Sequence, residues 1–410
     1  MKYLIKSPEG AIRASVQLPA SKSISNRALI LNALSYSPYD IQNLSDCDDT
    51  EVMVRALNSD SRDFDIKAAG TAMRFLTAFL SKIVGEWTIT GTERMKNRPI
   101  KLLVDALNSL GARIEYIEKE GYPPLRIFGS ALQGGEISLA GGISSQYISA
   151  LLMIAPLMEN GLTLNLEGNI ISRPYINLTL QLMEQFGVKA TWNGQTIKIL
   201  PQEYKPIRFT VESDWSAASY WYSIMALSKN VEIELLGLFK NSLQGDAAGA
   251  KLFAQLGVGT IFTDQGVRLK HTGNVAKKLL YNFVNEPDLA QTFVVCCVLL
   301  NIPFRFTGLQ SLKIKETDRI EALKTELRKL GYLLTDSNDS ILEWNGERCE
   351  PEAEPVIATY EDHRMAMAFA PAALVLPLGL QVAEPEVVTK SYPAYWEDLK
   401  QAGFNIMEIQ

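Results

Sequence analysis

Two hydrophobic patterns alternate along the chain. In the first, an amphipathic helical stretch ends at a glycine and a short alternating strand follows: "LVDALNSLGARIEYI", "TLQLMEQFGVKATWN", "GAKLFAQLGVGTIFT", "LKTELRKLGYLLTD" and "WEDLKQAGFNIMEI". Gly111, Gly187, Gly257, Gly331 and Gly403 are spaced 76, 70, 74 and 72 residues apart. Each suits the left-handed position that closes a helix. "TEVMVRALNSD" reads as a sixth, degenerate copy without the glycine.

The second pattern interleaves with the first. "SNRALILNAL", "TAMRFLTAFL", "SSQYISALLMIA", "SAASYWYSIMAL", "DLAQTFVVCCVLL" and "HRMAMAFAPAAL" are apolar almost all round and are entered through polar residues. Such helices belong inside a core. Short strands such as "EWTIT", "LTLNL" and "VEIELL" join the pieces. A period near 70 residues is long for a solenoid and fits a βαβαββ unit used six times, three to a domain. Boundaries fall near residues 18 and 212, which predicts one discontinuous domain of residues 1–18 and 212–410 and a second of residues 19–211. The active site is expected in the cleft between them, with two crossover segments that permit a hinge.

Composition narrows the class. A chain of 410 residues that is 47% apolar supports two sizeable cores. No long apolar run suits a membrane span, and "MKYLIKSPEGAIRASVQL" lacks the architecture of a signal peptide. Cys47, Cys296, Cys297 and Cys349 show no paired metal spacing; Cys296 and Cys297 read as small core residues in a reducing compartment. With two histidines in the chain, a histidine-rich metal site is not expected. A net charge of −6 argues against nucleic acid and makes any cationic site a local one.

Local cations do gather at the mouths of the buried helices, where free N–H groups and the helix dipole already favour anions. They are Lys22 and Arg27 in "SKSISNRAL", Arg74 in "AAGTAMRF", Arg98 in "MKNRPI", Lys315 and Arg319 in "KETDR", Arg364 in "EDHRMAM" and Lys390 in "VVTKSYPAY". Lys315 and Arg319 read as neighbours on one helix face, a repulsion that a bound anion would relieve. Ser144, Ser145 and Gln146, with Ser172 and Tyr175, add neutral donors, although a helix cap is the plainer reading of either Ser144 or Ser172. Gly70 lets backbone approach a ligand, but no phosphate-cradling Gly-Lys-Ser/Thr loop or GxGxxG fingerprint is present. Two acids stand among the cations. Asp288 in "NEPDLAQT" reads as a helix cap or a proton carrier, and Glu316 in "KETDR" as a surface acid or a proton carrier.

In combination, "SKSISNRAL", "AGTAMR", "ERMKNRPI", "SSQYISALL", "SRPYINLTL", "KETDRI", "DHRMAM" and "PEVVTKSYPAYWEDL" resemble the enolpyruvyl transferases, in family order and over nearly the whole chain. The resemblance implies a fold of two inside-out α/β domains, each with threefold internal symmetry. It implies transfer of the enolpyruvyl group of phosphoenolpyruvate to the 5-hydroxyl of shikimate 3-phosphate, releasing phosphate, with no metal or organic cofactor. By motif, Lys22, Ser23, Arg27, Ser144, Ser145, Gln146, Ser172, Tyr175, Asp288, Ser311 and Lys315 would meet shikimate 3-phosphate. Lys22, Gly70, Arg98, Gln146, Arg319, Arg364 and Lys390 would surround phosphoenolpyruvate. Asp288 resembles the proton acceptor and Glu316 the proton donor, with Lys22 beside them. The reading expects a monomer in the cytoplasm that acts on small molecules, without nucleic acid or membrane. Ala68, Phe75 and Ser311 depart from the common pattern, where Asn, Pro and, in some members, Asn stand.

Two alternatives remain. The sister enzyme acting on UDP-N-acetylglucosamine typically carries a reactive cysteine on a mobile loop, and this chain has no cysteine between residues 48 and 295. A non-catalytic anion-binding protein of the same fold would not need both candidate acids.

Overall fold

The computed structural model describes residues 1–409, apart from the side chain of Ile314. The chain divides into two compact units, one of Met1–Pro19 with Glu212–Gln410 and one of Ala20–Val211.

Among the described residues, five four-stranded sheets share one plan. It runs without interruption through strand Gly135–Ala140, helix Ser145–Ile154, strand Leu162–Glu167, helix Arg173–Gln185 and strands Ala190–Asn193 and Thr196–Ile199. The first two strands pair in parallel, which the intervening helix permits by carrying the chain back. The last strand lies antiparallel between the second and the third. This is the βαβαββ unit expected from the repeat, and it recurs in residues 63–129 and 279–344.

The two remaining sheets borrow strands from the N-terminus. Ile12–Gln17 pairs in parallel with Val231–Leu236 and serves as the first strand of its unit. Lys2–Lys6 lies antiparallel between Leu380–Ala383 and Asn405–Ile409, in the place of a last strand. The sixth copy departs from the plan. It keeps helices Lys22–Leu34 and Asp48–Leu57, but among the described residues it has no sheet, and a parallel bridge from Gln42 to Thr210 marks where its first strands would meet. The connecting "SYSPYDIQNLSDC" is polar and broken by Pro38, with no alternating apolar run to sustain a strand.

The repeating glycines have φ between +85° and +101°. Gly187 shows why: its N–H donates to Glu184 O at 3.0 Å while the Val188 N–H reaches back to Met183 O at 2.9 Å, a turn that a side chain would strain by about 1 kcal/mol. The buried helices are as apolar as their surroundings demand. All ten residues of Ala290–Leu299 are buried, including Cys296 and Cys297. Burial pushes the Cys296 thiol up to about 12. Helix Gly70–Lys82 packs on Ser145–Ile154, and Ala290–Leu299 packs on Trp215–Leu227 and His363–Phe369. Among the described residues, no helix is long and apolar enough to cross a membrane.

Candidate active site

In the unit Ala20–Val211, the candidate residues lie at the mouths of the buried helices. Ser21 caps helix Lys22–Leu34 by accepting from the Ile24 N–H at 3.4 Å. This places Lys22 in the first turn, 3.7 Å from Asp49. One turn on, Arg27 is directed into the unit. Its Nε donates to Thr179 Oγ1 at 2.7 Å, Nη1 to Ser23 O at 2.9 Å, and Nη2 to Ser149 Oγ at 3.1 Å and to Tyr175 O at 3.5 Å. Every one of these acceptors is neutral. Among the described residues no carboxylate pairs with this guanidinium, and burial pushes it down to about 10. A cation held this way is costly until an anion joins it.

The neighbouring mouths are tied to one another. Gln146, in the first turn of Ser145–Ile154, donates from Nε2 to Thr71 Oγ1 at 3.1 Å, at the start of Gly70–Lys82. Ser144 is the cap of its helix, accepting from the Gln146 N–H at 3.3 Å, and Ser145 is the first helical residue. Ser172 holds the cap position of Arg173–Gln185 but makes no side-chain cap bond. Its backbone is left-handed, with φ 54°, a conformation a serine adopts at a cost of about 1–3 kcal/mol. Tyr175 follows in the first turn of that helix. At Gly70 two cations crowd the backbone: a Cβ there would lie 2.6 Å from Arg98 Nη1 and 2.7 Å from Arg74 Nη1.

The other unit carries an ion network. Arg319, the first residue of helix Arg319–Lys329, is almost fully buried. Its Nε donates to Asp362 Oδ2 at 2.7 Å, its Nη1 to Asp288 Oδ1 at 3.1 Å and its Nη2 to Glu316 Oε2 at 2.9 Å. Burial opposes the charge of Arg319, but Asp362, Glu316 and Asp288 outweigh it and hold its pKa above the usual arginine value. Arg364 Nη2 donates to Asp288 Oδ2 at 3.0 Å, and Lys315 Nζ stands 3.4 Å from Asp288 Oδ1. Asp288 therefore receives three cations. It is not a helix cap: the cap position of Ala290–Leu299 falls on Leu289.

Lys315 and Arg319 do not share a helix face. Asp318 caps the helix, accepting from the Ile320 and Glu321 N–H groups at 3.2 Å, so the helix begins at Arg319. Lys315 closes the preceding turn Gln310–Ile314, which also contains Ser311. Glu316 lies in the same connection rather than on a helix surface. Lys390 ends the turn Pro385–Lys390 and donates to Glu361 O at 2.7 Å.

Some participants escaped the sequence reading. Asp362 is fully buried, caps helix His363–Phe369 by accepting from the Arg364 N–H at 2.9 Å, and also anchors Arg319. The sequence reading took only Arg364 from "EDHRMAM" and passed over Asp362. Tyr220 sits 3.4 Å from Arg364 Nη1. Phe75 places its ring centroid 5.3 Å from Arg27 Cζ.

Comparison with known proteins gives a consistent result. A family profile described as EPSP synthase (3-phosphoshikimate 1-carboxyvinyltransferase) matches residues 6–61 and 58–399. A 3-phosphoshikimate 1-carboxyvinyltransferase of Bacteroides fragilis (strain YCH46) is 64% identical over 407 residues, covering 99% of each chain. One from Vibrio atlanticus is 37% identical over 432 residues, covering 98% of this chain and 99% of the relative. Among solved structures, an EPSP synthase from Acinetobacter baumannii superposes with a TM-score of 0.81 at 19% identity, covering 99% of this chain and 100% of that one.

Proposed function

The chain belongs to the EPSP synthase (3-phosphoshikimate 1-carboxyvinyltransferase) family, and we propose that Arg27 and its neighbours hold shikimate 3-phosphate while Asp288 and Glu316 move the protons of enolpyruvyl transfer. The reaction is that of the family: the 5-hydroxyl of shikimate 3-phosphate displaces phosphate from phosphoenolpyruvate by addition and elimination.

The observation that carries this reading is the uncompensated Arg27. A buried guanidinium with four neutral acceptors and no carboxylate is organised for an anionic ligand. Ser23, Ser144, Ser145, Ser172 and Lys315 supply further donors to the sugar phosphate, Gln146 reaches both ligands, Ser311 contributes a hydroxyl, and Tyr175 packs on the ring. Gly70, Arg98, Arg319, Arg364 and Lys390 receive phosphoenolpyruvate. Lys22 lies against both substrates.

The chemistry follows from charge. As the hydroxyl oxygen bonds to C2 of phosphoenolpyruvate, its proton passes to the Asp288 carboxylate. The electron pair of the C2–C3 double bond takes a proton at C3 from Glu316, giving a tetrahedral adduct. Return of a proton from C3 to Glu316 re-forms the double bond as the C2–O bond to phosphate breaks, and the proton held by Asp288 leaves with the departing phosphate. The cations hold the anions in attacking geometry and stabilise the departing phosphate. No step draws on a metal or organic cofactor. The protein acts as a cytoplasmic monomer without nucleic acid or membrane partners.

Phosphate release from phosphoenolpyruvate, measured with and without shikimate 3-phosphate, is the test. Release that depends on the sugar phosphate is expected. Release driven instead by UDP-N-acetylglucosamine, or no release by the folded protein, overturns the reading.

A further inference from the structure

Among the described residues proposed to meet the sugar phosphate, Ser172 alone stands in the left-handed region, with φ 54° and ψ 35°. Its side chain is buried and makes no cap bond. A serine keeps such a backbone only where its surroundings over-determine it. The surroundings here include the hairpin of strands Ala190–Asn193 and Thr196–Ile199, later in the same unit. It grips the segment of residues 168–173 at both ends. At one end Gln195 Nε2 donates to Gly168 O at 2.7 Å, while the Leu166 N–H donates to Gln195 O at 2.8 Å. At the other end Arg173, the first residue of its helix, lays its guanidinium over the Trp192 ring, with Cζ 4.1 Å from the centroid. Trp192 is itself fixed: its Nε1 donates to Gly194 O at 3.2 Å, and its backbone stands opposite Ile197. Between the two grips the Ile171 N–H donates to Gly141 O at 3.1 Å.

Neither Arg173 nor Trp192 belongs to the buried core. Their stack therefore does little for packing, and what it holds is the chain direction one residue beyond Ser172. We propose that Trp192 and Gln195 are positioning residues acting through Ser172: their hairpin fixes the left-handed turn, and with it the Ser172 hydroxyl, before shikimate 3-phosphate arrives. Released from either grip, Ser172 would spend part of its time in the backbone regions an L-residue prefers, and affinity falls with the fraction left in the competent turn.

This inference deepens the reading above and rests on Ser172 meeting the sugar phosphate. Calorimetry should measure the affinity for shikimate 3-phosphate in wild type, Trp192→Leu, Gln195→Ala, Ser172→Ala and the two double variants that join Ser172→Ala to each hairpin change. Trp192→Leu and Gln195→Ala should each weaken binding about 3- to 10-fold, with kcat and the KM for phosphoenolpyruvate within about 2-fold of wild type. In the Ser172→Ala background the same changes should cost less than about 1.5-fold, because the hydroxyl they position is gone. Trp192→Phe keeps a ring under Arg173 and should bind within about 2-fold of wild type. Equal factors in both backgrounds, or wild-type affinity in Trp192→Leu and Gln195→Ala, would overturn the inference, since a hairpin that only stabilised the fold would act without regard to Ser172. If Trp192→Leu fails to fold, Arg173→Met removes the same stack from its other side and takes its place. Full affinity in Ser172→Ala alone would strike the assignment of Ser172 to the sugar phosphate and the positioning role with it. Weakened binding in Ser172→Ala with additive hairpin effects would strike the positioning role only.

Discussion

Arg27 carries its guanidinium 5.3 Å from the centre of the Phe75 ring. The ring lies on helix Gly70–Lys82 and is 1% exposed, so a desolvated cation faces a desolvated π surface. Such contacts contribute about 2 kcal/mol or more when water is excluded. Phe75 stands where the family resemblance leads one to expect proline, and a proline ring has no π face. Phe75→Leu should therefore raise the KM for shikimate 3-phosphate about 5- to 30-fold with a smaller change in kcat. Equal KM values in steady-state kinetics would show that the four neutral acceptors alone hold Arg27.

The same guanidinium makes a second, less intuitive prediction. Without ligand it is a buried cation lacking an anion, and its pKa is depressed by that burial. Arg27→Met removes the charge, while Ser149 Oγ and Thr179 Oγ1 keep each other as partners at 2.7 Å. The ligand-free variant should melt no lower than wild type, yet lose the rise in Tm that shikimate 3-phosphate gives wild type. A large fall in the ligand-free Tm, read by calorimetry, would make Arg27 a structural residue instead.

Gly70 offers a test of the neighbouring cations. A methyl group there would press on Arg98 Nη1 and Arg74 Nη1 at 2.6 and 2.7 Å, distances no real Cβ tolerates. Both contacts are ends of flexible side chains, so Gly70→Ala should fold, with the guanidiniums displaced. The expected outcome is a KM for phosphoenolpyruvate raised about tenfold or more, with shikimate 3-phosphate binding little changed. An unchanged KM would remove Arg98 from the phosphoenolpyruvate site.

How far the sequence revealed these features depended on whether a residue's role was local. A left-handed helix end admits glycine and little else, so the repeat was legible through Gly111, Gly187 and the later copies. The buried helices were legible because a helix surrounded by core must be apolar on every face. The start of helix Arg319–Lys329 was misread, although Asp318 is an ordinary capping signal, because the Lys315–Arg319 spacing suggested one continuous helix. The pairing of Arg319 with Asp362 joins residues 43 apart and depends on two helix mouths meeting, which no local pattern encodes.

Proton linkage gives a prediction about stability. Burial raises the pKa of Asp246 to about 7 and also raises those of Glu212, Glu286 and Asp398. A carboxyl whose folded pKa lies above its unfolded value takes up a proton on folding. Its contribution is complete below the unfolded value of about 4 and is lost as pH rises through the folded value. Asp65 and Glu120 are shifted the other way, but both are largely exposed, so solvent screens their effect. The ligand-free protein should thus melt a few degrees higher at pH 5.5 than at pH 8, and Asp246→Asn should shrink that difference. A Tm that rises steadily across this range would contradict the buried protonated carboxyls.

The assignment of the two acids makes the strongest demand on the chemistry. Asp288 meets Arg319, Arg364 and Lys315, and Glu316 meets Arg319, so either could be explained as a purely structural counter-ion. Asp288→Asn and Glu316→Gln keep the shape and an acceptor oxygen but remove proton transfer. A general acid or base contributes about 10²–10⁴-fold in rate. If both residues carry protons, kcat should fall by about that factor in each variant, while calorimetry finds shikimate 3-phosphate still bound. A structural counter-ion behaves differently. Removing it would loosen Arg319, which touches both acids and Asp362, and would show as a lower Tm and weaker binding with a modest effect on kcat. Lys22→Met should lose both affinity and rate if, as proposed, its charge lies against both substrates. Should Asp288→Asn and Glu316→Gln turn over near the wild-type rate, the protons must travel through the phosphates of the substrates themselves, and the ion network around Arg319 would be a scaffold for anion binding alone.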